Sequence, residues 1–119
     1  MTQPSPADEL RAAAEKLRRY AKAAALASPG TWTITPERVI RCNNGEGVIV
    51  ADRSCANPGE DADLPYIAAM SPDVGTALAQ WLDTAAEGLD TAHYAECSPE
   101  TCIHAAALAV ARAITGDTP

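Results

Sequence analysis

The stretch "TWTITPERVIRCNNGEGVIVADRSC", residues 31–55, decides the fold class. Val39 and Ile40 lead into Cys42, and Val48, Ile49 and Val50 return after Asn43-Asn44-Gly45-Glu46-Gly47. Branched aliphatics suit a pleated strand, and asparagine and glycine accept the positive φ of a tight turn, so the segment reads as a β-hairpin. Trp32 and Ile34 offer a further short strand. Residues 56–63, "ANPGEDAD", follow as an acidic loop. On both sides of this β segment the chain is patterned for helices, which makes the class α+β.

The helices announce their own starts. Ser5-Pro6-Ala7-Asp8, Ser71-Pro72-Asp73-Val74 and Ser98-Pro99-Glu100-Thr101 each put a hydroxyl at the N-cap, proline at the first helical position and a carboxylate in the first turn. Thr35-Pro36-Glu37 is a weaker copy and reads as a turn leading into a strand. The first helix runs from Pro6 to about Ala27 and stops before Ser28-Pro29-Gly30. Leu10, Leu17 and Ala24 make a narrow stripe along it, with Ala13, Tyr20 and Ala21 beside them and Arg11, Glu15, Lys16, Arg18, Arg19 and Lys22 flanking. The stripe suits a surface helix docked on its own domain, or a short coiled-coil seam for a homodimer or partner helix. The division expected is an N-terminal helix over residues 1–30 and a small α+β domain over 31–119.

A short helical turn is expected over residues 64–70. The helix after it sets Val74, Ala77, Leu78, Trp81, Leu82 and Ala85 on one expected buried face, and Gly88 is expected to end it. The last helix, from Pro99 to about Thr115, carries Ile103, Ala107, Val110 and Ile114 on one face. It is apolar almost all round, so it should be central or covered by a neighbouring subunit. The expected whole is a long N-terminal helix, a β-hairpin and two packed C-terminal helices with a site between them.

That site is "HYAECSPETCIH", residues 93–104, which holds both histidines of the chain and half of its four cysteines. The spacing is His-x₃-Cys-x₄-Cys-x-His. Zinc takes four such ligands tetrahedrally, and a helix N-terminus favours the thiolate form that binds metal. The expected structural zinc is held by His93, Cys97, Cys102 and His104. Cys102 and His104 stand about 200° apart around a regular helix, so the fourth ligand could instead be Cys42 or Cys55 from the hairpin. A Cys97–Cys102 disulfide, a Cys42–Cys55 pair and four free thiols are the competing readings.

Composition narrows the function classes. The chain has 119 residues, 47% of them hydrophobic, with alanine carrying much of that share and no phenylalanine. Alanine buries little surface, so stability must come from close helix packing, a metal or self-association. Residues 1–30 hold five basic and three acidic side chains, whereas 31–119 hold four basic and thirteen acidic, so nearly all of the net charge of −7 sits in the second part. Such a body repels phosphate backbones and argues against direct nucleic-acid binding. The five basic residues of the first helix make a poor footprint for a DNA-binding regulator. With no secretory signal and no long apolar run, the expected location is the cytoplasm, in this case that of a host cell. No nucleophile elbow, phosphate loop, His-Glu-x₂-His or deaminase pattern is present, so the expectation is a protein that is not an enzyme.

Ile67-Ala68-Ala69-Met70-Ser71-Pro72 and Ala77-Leu78-Ala79-Gln80-Trp81-Leu82, with Ala107-Leu108-Ala109-Val110-Ala111-Arg112-Ala113-Ile114 behind them, resemble small early-region accessory proteins of temperate and actinobacterial phages. The likeness covers roughly residues 60–115. It implies a protein that binds and modulates a host or phage protein, and it carries over no catalytic residues. The zinc expectation rests on spacing alone. The alternative drawn from the charge is an acidic decoy that mimics nucleic acid on a basic host surface.

Overall fold

A computed structural model describes residues 4–91 and 103–116. Their order is α1 (Pro6–Ala27), β1 (Thr33–Ile34), β2 (Val39–Arg41), β3 (Ile49–Asp52), α2 (Leu64–Ala69), α3 (Pro72–Thr91) and α4 (Ile103–Thr115). The class is α+β, with a long N-terminal helix, a three-stranded antiparallel sheet and further helices. No helix among the described residues is long and apolar enough to cross a membrane. The chain divides into two compact units, one from Met1–Arg19 with Thr76–Pro119, the other Tyr20–Gly75.

In the helical unit, the start of α1 follows from its cap. The Asp8 N–H donates to Ser5 Oγ at 3.1 Å and the Glu9 N–H to the Ser5 carbonyl at 2.9 Å, which satisfies two of the donors a helix leaves open. The buried cluster takes Ala7, Leu10, Ala13 and Ala14 from α1, Ala79, Leu82 and Ala86 from α3, and Ala107 and Ala111 from α4. Leu17, Ala85, Leu89, Val110 and Ile114 pack on its rim. Most of these are alanines, and helices meeting at alanine approach more closely than helices meeting at bulky residues. Two ion pairs lace the flanks. Arg18 Nη2 donates to Asp83 Oδ2 at 2.7 Å, and Arg112 reaches both carboxylate oxygens of Glu9 at 3.2 Å.

Three sequence expectations need correcting here. The face of α3 that is buried is that of Ala79, Leu82 and Ala86, whereas Trp81 is 40% exposed and Val74 and Ala77 also face solvent. Close alanine packing selects the small side chains for the interior and leaves no room for an indole. Gly88 does not end α3, which continues to Thr91. A Cβ at Gly88 would lie 2.5 Å from His104 Nε2, so the glycine is a notch for the histidine ring. Finally, α4 is not enclosed within this unit: Ala107 and Ala111 are buried, but Ala106, Ala109 and Ala113 are exposed. The helix does end where expected, with Gly116 at φ 83° donating to the Arg112 carbonyl.

In the sheet unit, the strand order is β1-β2-β3, with Ile34 opposite Ile40 and Ile40 opposite Ala51. The hairpin is present as expected, with the third strand beside it. Its turn is a short 3₁₀ segment, Asn43–Gly45, in which Asn43, Asn44 and Gly45 have φ of 51°, 58° and 91°. Those are the left-handed angles for which asparagine and glycine are suited. Ala21, Val39, Ile40, Cys42 and Leu64 are the buried apolar residues of this unit. α2 packs against β1 and β2. α3 opens with the Val74 and Gly75 N–H groups on the Ser71 carbonyl, as its Ser-Pro start implies.

Candidate functional site

Of the four residues assigned to zinc, only His104 lies within the described part. His93, Cys97 and Cys102 lie outside it, as do the Ser98-Pro99 helix start and the Cys97–Cys102 pair. His104 stands in the first turn of α4, partly buried, with the Nε2 tip of its ring turned to the α3 backbone at Gly88. Nδ1 is then its nitrogen that is not aimed at the notch. The two hairpin cysteines considered as alternatives differ from each other. Cys42 is buried and its Sγ fills the space where a Cβ of Gly47 would sit, 2.5 Å away, whereas Cys55 is exposed. Both are free thiols, so the Cys42–Cys55 disulfide is not formed. Among the described residues, no three histidine, cysteine or carboxylate side chains are grouped to hold a metal.

The acidic loop is organised in a way the spacing does not reveal. Arg38 Nε donates to Asp61 Oδ2 at 2.9 Å, and its Nη2 donates to the carbonyls of Ala56 and Asn57 at 3.1 and 3.4 Å. Arg38 takes φ 65°, a conformation that costs a side-chain-bearing residue energy and that these three acceptors help to offset. Arg53 clamps Asp63 with both ends of its guanidinium, Nη2 to Oδ2 at 2.5 Å and Nε to Oδ1 at 3.3 Å. That hydrogen bond and the guanidinium charge hold the Asp63 carboxyl below its ordinary pKa and raise that of Arg53. Two of the loop's carboxylates are thus neutralised within the unit.

A pocket of about 680 Å³ opens at the end of β3, lined by Asp52, Arg53, Ser54, Cys55, Ala56 and Glu60. Asp52 Oδ1 accepts the Ser54 N–H at 2.8 Å, and hydrogen bonds from Ser54 keep the Asp52 carboxyl below the ordinary carboxylate range. Glu60 Oε1 accepts the Asn57 N–H at 2.6 Å. Glu37 is likewise held down, first by a hydrogen bond from Thr35. No general acid or base with a raised carboxyl pKa occurs among the described residues that show a shift.

The large aromatic side chains are mostly outside. Tyr20 is 56% exposed, Tyr66 72% and Trp81 40%, while Trp32 is half-buried and donates its indole N–H to the Ser28 carbonyl at 2.9 Å. Neither family models nor curated proteins nor solved structures match this chain.

Proposed function

We propose that the chain is a small non-enzymatic accessory protein that works by binding a protein, with a host or phage protein as the partner. The observation that carries this reading is the placement of its aromatics. In a chain so poor in bulky residues, tyrosine and tryptophan would be the most valuable core residues, yet Tyr20, Tyr66 and Trp81 stand in solvent while alanines are buried. Exposed Tyr and Trp are the side chains that most often anchor a protein partner. The phage setting and the host cytoplasm come from the resemblance over residues 60–115.

The proposal includes a structural zinc on His93, Cys97 and Cys102, with His104 as fourth ligand through Nδ1. Its support is the ligand spacing and the place of His104 at the start of α4. The acidic-decoy reading is the weaker one, because Arg38 and Arg53 already neutralise Asp61 and Asp63. Affinity capture from a host lysate, identified by mass spectrometry, tests the binding reading. The expected result is one enriched protein that wild-type chain retains and Trp81→Ala or Tyr66→Ala chain loses. Capture of nothing, or capture indifferent to all three aromatics, would remove it.

A further inference from the structure

β3 is an edge strand with a pocket at its end, and the two features together describe an occupant. Within the sheet unit β3 pairs only with β2. Ile40 lies opposite Ala51, so the alternation of an antiparallel ladder turns the peptide groups of Val50 and Asp52 toward the open edge. Edges left open in native proteins are normally guarded by lysine, proline or a covering element. β3 has neither residue, and it is led in by Val48 and Ile49, which are 58% and 45% exposed. The pocket at its far end carries Asp52 and Glu60, and the guanidinium beside them, that of Arg53, is already committed to Asp63. Among the described residues neither Asp52 nor Glu60 takes part in an ion pair. The pocket's net charge is therefore negative.

We propose that β3 takes up an extended segment of the partner as a fourth strand, with apolar side chains over Val48 and Ile49 and a basic side chain in the Asp52–Glu60 pocket. Main-chain hydrogen bonds supply the attachment in this mode, and side-chain pockets supply the selectivity. The proposal rests on reading the chain as a protein-binding molecule, and it names the chemistry of what is bound.

The test titrates the full-length ¹⁵N-labelled chain with three synthetic hexapeptides. The first alternates valine and threonine and ends in arginine. The second replaces the arginine by glutamate, and the third is the first with N-methyl groups on alternate peptide nitrogens. The expected result is saturable movement of the Val50 and Asp52 amides with the first, binding of the second weakened about tenfold by charge reversal, and none of the third. Asp52→Asn and Glu60→Gln should each shrink the preference for arginine over glutamate. Absence of shifts at Val50 and Asp52, or equal binding of the N-methylated peptide, overturns the proposal. So does movement of those amides on concentrating the chain alone with a dimer mass in sedimentation, which would make a second copy the occupant. The titration needs no natural partner. A null result beside intact Trp81-dependent capture therefore removes the edge site and leaves the binding reading standing.

Discussion

The two units keep their shape by different means. The helical unit is a volume problem: Leu10 and Leu82 are its large buried side chains, and small alanines on three helices close around them. The sheet unit is a problem of polar ties and backbone angles, since Arg38 and Arg53 reach across the acidic loop and Arg38, Asn43 and Asn44 hold left-handed conformations. The contrast teaches what each can tolerate. Changes of size should damage the first, and changes of charge or pH should loosen the second. It also shows why large apolar residues are left over for a partner, because neither means of holding together uses them.

The largest expected effect separates the units by metal. Purified without a histidine tag, the chain should carry about one zinc, and chelation should lower the melting of the helical unit while amides of the sheet unit keep their positions. Negligible metal with an unchanged melt would end the zinc proposal. Next is volume. Leu82→Ala should cost about 2–5 kcal/mol in urea unfolding, because packed helices cannot collapse fully into the space. A loss well under that range would mean the alanine cluster is loosely packed.

The helix boundaries were legible where the chemistry is local. A hydroxyl followed by proline caps its own helix, as Ser5 does, and Asn43-Asn44-Gly45 signals its own turn. The inward face of α3 was not legible. Alanine suits either side of a helix, so the stripe through Val74 and Trp81 looked as good as the one through Ala79, Leu82 and Ala86 that is buried. Gly88 reads as a stop in one dimension and is a notch for His104 in three. The Arg38–Asp61 and Arg53–Asp63 ties join residues 23 and 10 positions apart, and no periodicity marks such partners. Of the candidate zinc site, the described residues include only His104.

Smaller effects sharpen the same contrast. Gly88→Ala gains helix propensity, about 1 kcal/mol in an open helix, but places a methyl against the His104 ring. It should therefore stabilise the chain in a His104→Ala background and lose most of that gain in wild type, a coupling that a double-mutant cycle in urea measures. Equal effects in both backgrounds would deny the contact. In the sheet unit, Asp63 has its pKa lowered by Arg53. Its contribution is thus present above the unfolded carboxylate pKa of about 4 and is lost as pH falls through the lower folded value. Amides of residues 56–63 should hold their positions at neutral pH and move only in acid, and Asp63→Asn should give the moved positions at every pH. Movement of the wild-type loop near neutrality would contradict the tie.

The most direct test of the central claim, that exposed aromatics rather than surplus charge hold a protein partner, is the affinity for the captured partner at low and high salt, with and without Trp81→Ala. The account predicts an affinity that salt hardly changes and that the substitution weakens at least tenfold, the scale of an aromatic anchor. Affinity that collapses in high salt and ignores Trp81 would contradict it and favour the acidic decoy.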